Sequence, residues 1–192
     1  MTASLDLFWI PLGAGGHVVH FNGLVYEAIV ARRQHRARRA LFHAALVAEL
    51  PEGRTTIEVG PAWNRIDGSL DHGAVVTGPV GLQPLGRWRW FRYEIRCWPD
   101  GVIPDLAYAV GGPQRLTDDE SVVRRALGAA CEVPILTWGR DELRIGEMWN
   151  SNSVIAWILA RAGVDPAELR PPGDGRAPGW DAGIAALNPT SR

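Results

Sequence analysis

Gly146-Glu147-Met148-Trp149-Asn150-Ser151-Asn152-Ser153 runs directly into Val154-Ile155-Ala156-Trp157-Ile158-Leu159-Ala160-Arg161-Ala162-Gly163, and the fold turns on how this stretch is read. Asn and Ser start helices because a short side-chain oxygen can accept one of the N–H groups that lack an intrahelical partner. The run from Val154 onward is apolar on almost every side, so a helix beginning near Ser151 is expected to be buried rather than laid on a surface. Gly163 supplies a left-handed stop and Pro166 prevents continuation, giving about three turns. The first turn offers hydroxyls and amides at the positive end of the helix dipole, where a nucleophile or an anion is favoured. The plainer reading of the same residues is a well-made helix cap.

Composition narrows the function classes. A chain of 192 residues with 46% hydrophobic content is long enough to bury one real core. The net charge of −1 gives the molecule as a whole no electrostatic reason to bind nucleic acid or an anionic surface. All 20 basic residues are Arg, which together with abundant Ala, Gly and Pro reads as the coding bias of a GC-rich, bacterial genome. Cys97 and Cys131 have no metal-like spacing and form no framework, so no oxidising compartment, metal or cofactor is expected. Leu7-Phe8-Trp9-Ile10 is broken by Pro11, which argues against a leader or a membrane span and leaves the cytoplasm as the default location.

Leu5 to Leu12 reads as a buried strand, followed by a Gly13-Ala14-Gly15-Gly16 turn. His17 to Phe21 and Leu24 to Ala28 flank Asn22-Gly23, a strong hairpin signal. Ala31 to Arg39 carries five arginines in nine residues without interleaved aromatics, which is a solvated face more than a phosphate grip. Phe42 to Leu50 and Arg54 to Val59 form two strands joined by Pro51-Glu52-Gly53. His43 opens the first of these. Pairing Leu50 with Arg54 puts Glu58 on the face opposite His43, and a slip of one residue puts the two together, so the sequence leaves the register open.

Residues 61 to 84 read as loop with one small strand at Ala74-Val75-Val76, and His72 as exposed. Trp88 to Trp98 partly alternates aromatic and charged residues and is expected to be a strand. A short helical turn is expected within Ile103 to Val110, and Thr117-Asp118-Asp119-Glu120 opens a helix running to about Ala130. Asp141 and Glu142 beside Arg140 could orient an imidazole, although a surface ion pair is the plainer use. From Pro171 to Arg192 the Pro/Gly content predicts a poorly ordered tail lying across a single domain of residues 1–170.

A histidine at the start of a hairpin strand, followed about a hundred residues later by an Asn-led motif opening a buried helix, resembles the circularly permuted papain-like superfamily. That group includes NlpC-type peptidoglycan peptidases, lecithin:retinol acyltransferase-like proteins and PPPDE peptidases. His43-Ala44-Ala45-Leu46-Val47 is similar to their His-x-x-hydrophobic-hydrophobic segment, and Asn150-Ser151-Asn152-Ser153-Val154-Ile155 to their Asn-Cys-x-Ser-Phe-hydrophobic motif. Ser151 stands where the family carries cysteine, and Val154 replaces the aromatic.

The resemblance implies a permuted papain-like α+β domain, a small antiparallel sheet packed on the Ser151 to Ala162 helix. It also implies a hydrolase or acyltransferase acting on an amide or ester. Ser151 would be the nucleophile, His43 the base, and Glu58 or Asp141 the orienting carboxylate. Backbone N–H groups near Ser151 with Asn150 or Asn152 would hold the oxyanion, and Ser153 is the reserve nucleophile. A hydroxyl needs a well-placed base where a thiolate does not, so the alternative is a catalytically inactive relative that binds a peptide, lipid or cell-wall fragment in the cleft. A third reading makes Arg32 to Arg39 a nucleic-acid or partner-binding patch. The expected partner is a small molecule or peptide. The oligomeric state is left open.

Overall fold

The computed structural model describes residues 2–13, 27, 31–32, 35–62, 73–101 and 104–188. The Asn22-Gly23 hairpin, most of the glycine turn before it and His72 lie outside the described residues. The architecture is α+β. Six strands, β1 (Ser4–Pro11), β2 (Phe42–Leu50), β3 (Gly53–Pro61), β4 (Ala74–Pro79), β5 (Arg92–Pro99) and β6 (Gln114–Thr117), form one antiparallel sheet in the order β4-β5-β3-β2-β1-β6. The helices delimited by described residues at both ends are α1 (Glu120–Ala130), α2 (Ser151–Ala162) and α3 (Trp180–Ala185).

Period-two alternation along β2 sorts its residues between two environments. Phe42, Ala44, Leu46, Ala48 and Leu50 join the main core with Leu5, Leu7, Trp9, Ile57, Ile95 and the buried faces of α1 and α2. Ala45 turns the other way, into a small cluster with Ile10 against which Phe8, Leu106 and Ala109 pack. Val154, Ile155, Ile158 and Leu159 of α2 are completely buried, each worth about 1.5–3 kcal/mol relative to exposure. The helix is central, as its unbroken apolar run predicts, and it ends at Gly163 in the left-handed conformation with φ 93°.

The register left open by the sequence is resolved as Leu50 opposite Gly53 and Leu46 opposite Ile57. This is the slipped alternative, and by strict alternation it sets His43 and Glu58 on one face of the sheet. The α1 helix opens at Asp119, whose side chain accepts the Ser121 N–H, while Thr117 Oγ accepts the Asp119 N–H. The cap therefore falls two residues later than the Thr117-led box predicts.

Three other stretches differ from expectation. Residues 88–91, read as the start of a strand, instead close a pair of 3-10 turns at Gln83–Arg87 and Arg89–Phe91, because the Val80 N–H bonds to Phe91 O and β5 begins only at Arg92. β6 is a short strand that the sequence does not signal. The described part of the 171–192 tail is packed into the domain. Arg176 bridges Leu41, and α3 sets Trp180 and Ala182 into the main core. Gly179, with φ 84°, turns the chain into α3.

Candidate functional site at the start of the central helix

The first turn of α2 is built by reciprocal bonding. Asn150 Oδ1 accepts the N–H groups of Asn152 at 2.9 Å and Ser153 at 3.4 Å, and Ser153 Oγ accepts the Asn150 N–H at 3.0 Å. This is a capping box with Asn and Ser in the two roles. The same side chains also hold the C-terminal segment. Asn150 Nδ2 and Asn152 Nδ2 both donate to Pro178 O, and Ser153 Oγ donates to Gly179 O at 2.7 Å.

Asn152 also reaches the sheet. Recorded pairing between β2 and β3 begins at Leu46 and Ile57, and ahead of it the edge of β2 is met by other partners. Asn152 Oδ1 accepts the Ala44 N–H at 2.8 Å, Asn152 Nδ2 donates to Phe42 O at 3.0 Å, and Arg176 O accepts the Phe42 N–H. One amide side chain thus takes the place of a pairing strand and satisfies buried backbone groups that would otherwise be costly. The two peptide groups it grips flank His43.

Ser151, half-buried, is different from its neighbours: its hydroxyl and its N–H make no hydrogen bond among the described residues. No hydrogen bond joins it to His43. Alternation directs the half-buried His43 to the face of Ile10 and Ala45. Glu58, on that face and half-buried, lies across from Arg96, whose guanidinium is paired with Glu94 in a buried ion pair.

Several residues expected at the site are committed elsewhere. Asp141 is exposed and accepts the N–H groups of Ile145 and Gly146, so its carboxylate closes the 141–146 turn. Asn150 and Asn152 use their side-chain amides in the structural bonds above, which withdraws them as oxyanion donors. Ser153 is fully buried and bonded to Gly179 O, which withdraws it as a reserve nucleophile. Among the first-turn donors, the Ser151 N–H is the one left open to an anion.

Sequence reasoning missed Glu147. Its carboxylate accepts from Arg176 Nη2 at 3.0 Å and from the Gly179 N–H at 2.8 Å. Burial, aided by the charge of Asp181, pushes its pKa up against these favourable bonds. Glu27, also buried, is paired with Arg36 and lies 3.7 Å from Arg176. Burial opposes its ionisation, but the hydrogen bonds from Arg36 and the Arg39 N–H, with the charges of Arg36 and Arg176, hold it below the ordinary glutamate value. A cavity of about 260 Å³ beside Glu147 is lined by Arg39, Arg170, Arg176, Trp180 and Asp181. No local signal marks this cluster in the sequence, because its members come from three distant segments, residues 27–39, Glu147 and residues 170–181.

Among the described residues, no group of three His, Cys, Asp or Glu side chains comes together as a metal site, and no helix is long and apolar enough to cross a membrane. Comparison with protein-family models, curated proteins and solved structures finds no match to this chain.

Proposed function

We propose that the chain is a hydrolase or acyltransferase of permuted papain-like type, acting on an amide or ester through Ser151 and His43. The observation that carries this reading is the grip of Asn152 on Phe42 O and the Ala44 N–H, which holds the first turn of α2 against the peptide groups flanking His43. Ser151 has the uncommitted hydroxyl of that turn. Between the two candidate orienting carboxylates, the register favours Glu58, which shares the His43 face, and Asp141 is occupied in its own turn.

In the reaction, Ser151 Oγ attacks the substrate carbonyl carbon while its proton passes to the His43 imidazole. The carbonyl oxygen becomes an anion facing the Ser151 N–H. Collapse breaks the bond to the amine or alcohol, which leaves with the proton returned by His43, and water or a second acceptor then releases the acyl group by the same steps in reverse. Because Phe42 and Ala44 face α2 while His43 turns to the other side of β2, the Ser151–His43 hydrogen bond requires the start of β2 to rearrange in the substrate complex.

A fluorophosphonate probe and a panel of p-nitrophenyl esters test this. Ser151→Ala is expected to abolish labelling, and His43→Ala to lower ester turnover about 100-fold or more, with Asp141→Asn unchanged. Labelling that survives Ser151→Ala rejects the reading. The second reading, an inactive relative that binds its ligand, is favoured by the missing Ser151–His43 bond and by the alternation that turns His43 toward Ile10. It predicts no labelling of the wild type and unchanged ligand affinity in Ser151→Ala. The arginine-patch reading loses support because Arg36 is committed to Glu27.

A further inference from the structure

We propose that the loop spanning residues 81–90, with Phe91 at its exit, docks the protein on an anionic lipid bilayer surface. The chain leaves the sheet after β4, an edge strand, and returns at β5, and the Val80 N–H to Phe91 O bond closes the excursion at its base. Within this loop the largest apolar side chains keep a large part of their surface in water. Trp90 is 73% exposed, Leu82 50%, Trp88 47% and Phe91 42%. In a folded domain such side chains are normally buried, and a contiguous group of them marks a contact surface.

The loop is ordered by its own bonds. The N–H groups of Leu85, Trp88 and Phe91 bond back to Leu82 O, Leu85 O and Trp88 O. Gly86 allows the turn to lie on Pro79, since a Cβ there would meet the Pro79 Cβ at 2.7 Å. The rings are therefore presented in place, and little ordering cost remains for binding.

Charge selects the occupant. From Val80 to Arg92 the chain holds three arginines and no acidic residue, against a net charge of −1 for the whole protein. Arg92 is used internally, donating to Gly86 O and Thr77 Oγ1. Arg87 lies over the Trp88 ring at 4.3 Å, and Arg89 donates to Ala62 O through Nε alone. The Arg87 guanidinium thus stands beside a tryptophan ring, with Arg89 two residues further along the same loop. Trp prefers the headgroup level of a bilayer, where its ring is apolar and its N–H stays wet, and Arg reaches the phosphates of anionic lipids from the same depth. This pairing, on a short loop at a sheet edge, fits a lipid surface. The inference does not depend on Ser151.

Flotation of the full chain with vesicles of phosphatidylcholine, with and without phosphatidylglycerol, tests it. The wild type is expected on the phosphatidylglycerol vesicles and largely absent from the neutral ones, with binding weakened by salt. The double variant Trp88→Ala/Trp90→Ala should lower partitioning about tenfold, and Arg87→Gln and Arg89→Gln about fivefold each at low salt. Circular dichroism of the variants should match the wild type, because the altered side chains are exposed. Equal binding to neutral vesicles, no binding to either, a double variant that binds like the wild type, or binding to a single-stranded oligonucleotide in place of vesicles would each overturn the proposal.

Discussion

Asn152 and Ser151 are adjacent, yet their side chains have opposite duties. Asn152 satisfies the Ala44 N–H, Phe42 O and Pro178 O, all in the interior. Asn152→Ala leaves the Ala44 N–H and Phe42 O without this partner, while Pro178 O keeps the bond from Asn150, at about 1–3 kcal/mol for each group stranded. A loss near 3 kcal/mol is expected, read as a lower urea midpoint at unchanged slope. A midpoint within about 0.5 kcal/mol of wild type would show that the clamp is not structural. Ser151→Ala removes a hydroxyl with no hydrogen bond and is expected to change stability by less than about 0.5 kcal/mol. The composition of the stretch was legible as a cap. Which of its four polar side chains remained uncommitted was not, because their partners at 42–44 and 178–179 are about 110 and 26 residues away.

At the scale of elements, α2 and α3 touch at a glycine. A Cβ on Gly183 would lie 2.1 Å from Ser153 O and 2.9 Å from the Ala156 Cβ, both fixed by the first turns of α2. Alanine is the better helix former by about 1 kcal/mol, so on propensity alone Gly183→Ala would stabilise α3. The contact reverses the sign. Forcing the two helices apart is expected to cost about 2–3 kcal/mol and to lower the thermal midpoint in a calorimetric scan. A stabilised variant would mean that α3 can shift at no cost. The α2 helix was legible because its apolar run is long and sharply bounded, whereas α3 has six residues, too few for periodicity to distinguish it from loop. The same limit applies to β6 and to residues 88–91. There the aromatic and charged alternation satisfies a strand template, but the backbone is turned by the Val80–Phe91 closure.

For the whole molecule, Glu27, Arg36, Arg176 and Glu147 tie the chain before β2 to the approach to α2 and to the C-terminal segment. The two carboxylates respond to pH with opposite signs. Glu27 is held below its ordinary value, so the stability it contributes is complete above that value and is lost as pH falls through the folded one. Glu147 is raised, so stability falls as pH climbs from the ordinary glutamate range through its folded value. Glu27→Gln removes the carboxylate charge that Arg36 and Arg176 face in a nearly closed site, and about 3 kcal/mol is expected to be lost at neutral pH. Urea melts at a series of pH values should show the gap between the two proteins closing as the solution becomes acid. A gap that stays constant down to the acid limb would exclude Glu27 as its source.

The sequence by itself determined the buried helix, its Asn-led start and Gly163 stop, the β2–β3 hairpin and the α+β class, because capping, turn chemistry and hydrophobic periodicity act between residues close along the chain. Tertiary structure alone decided the register that puts Glu58 with His43, the use of Asn152 as a surrogate strand edge, and the incorporation of residues 171–188. The physical reason is that each depends on which backbone groups are left unpaired after the sheet and helices have come together. Their hydrogen-bonding demands are then met by whatever segment, however distant in sequence, lies within about 3 Å.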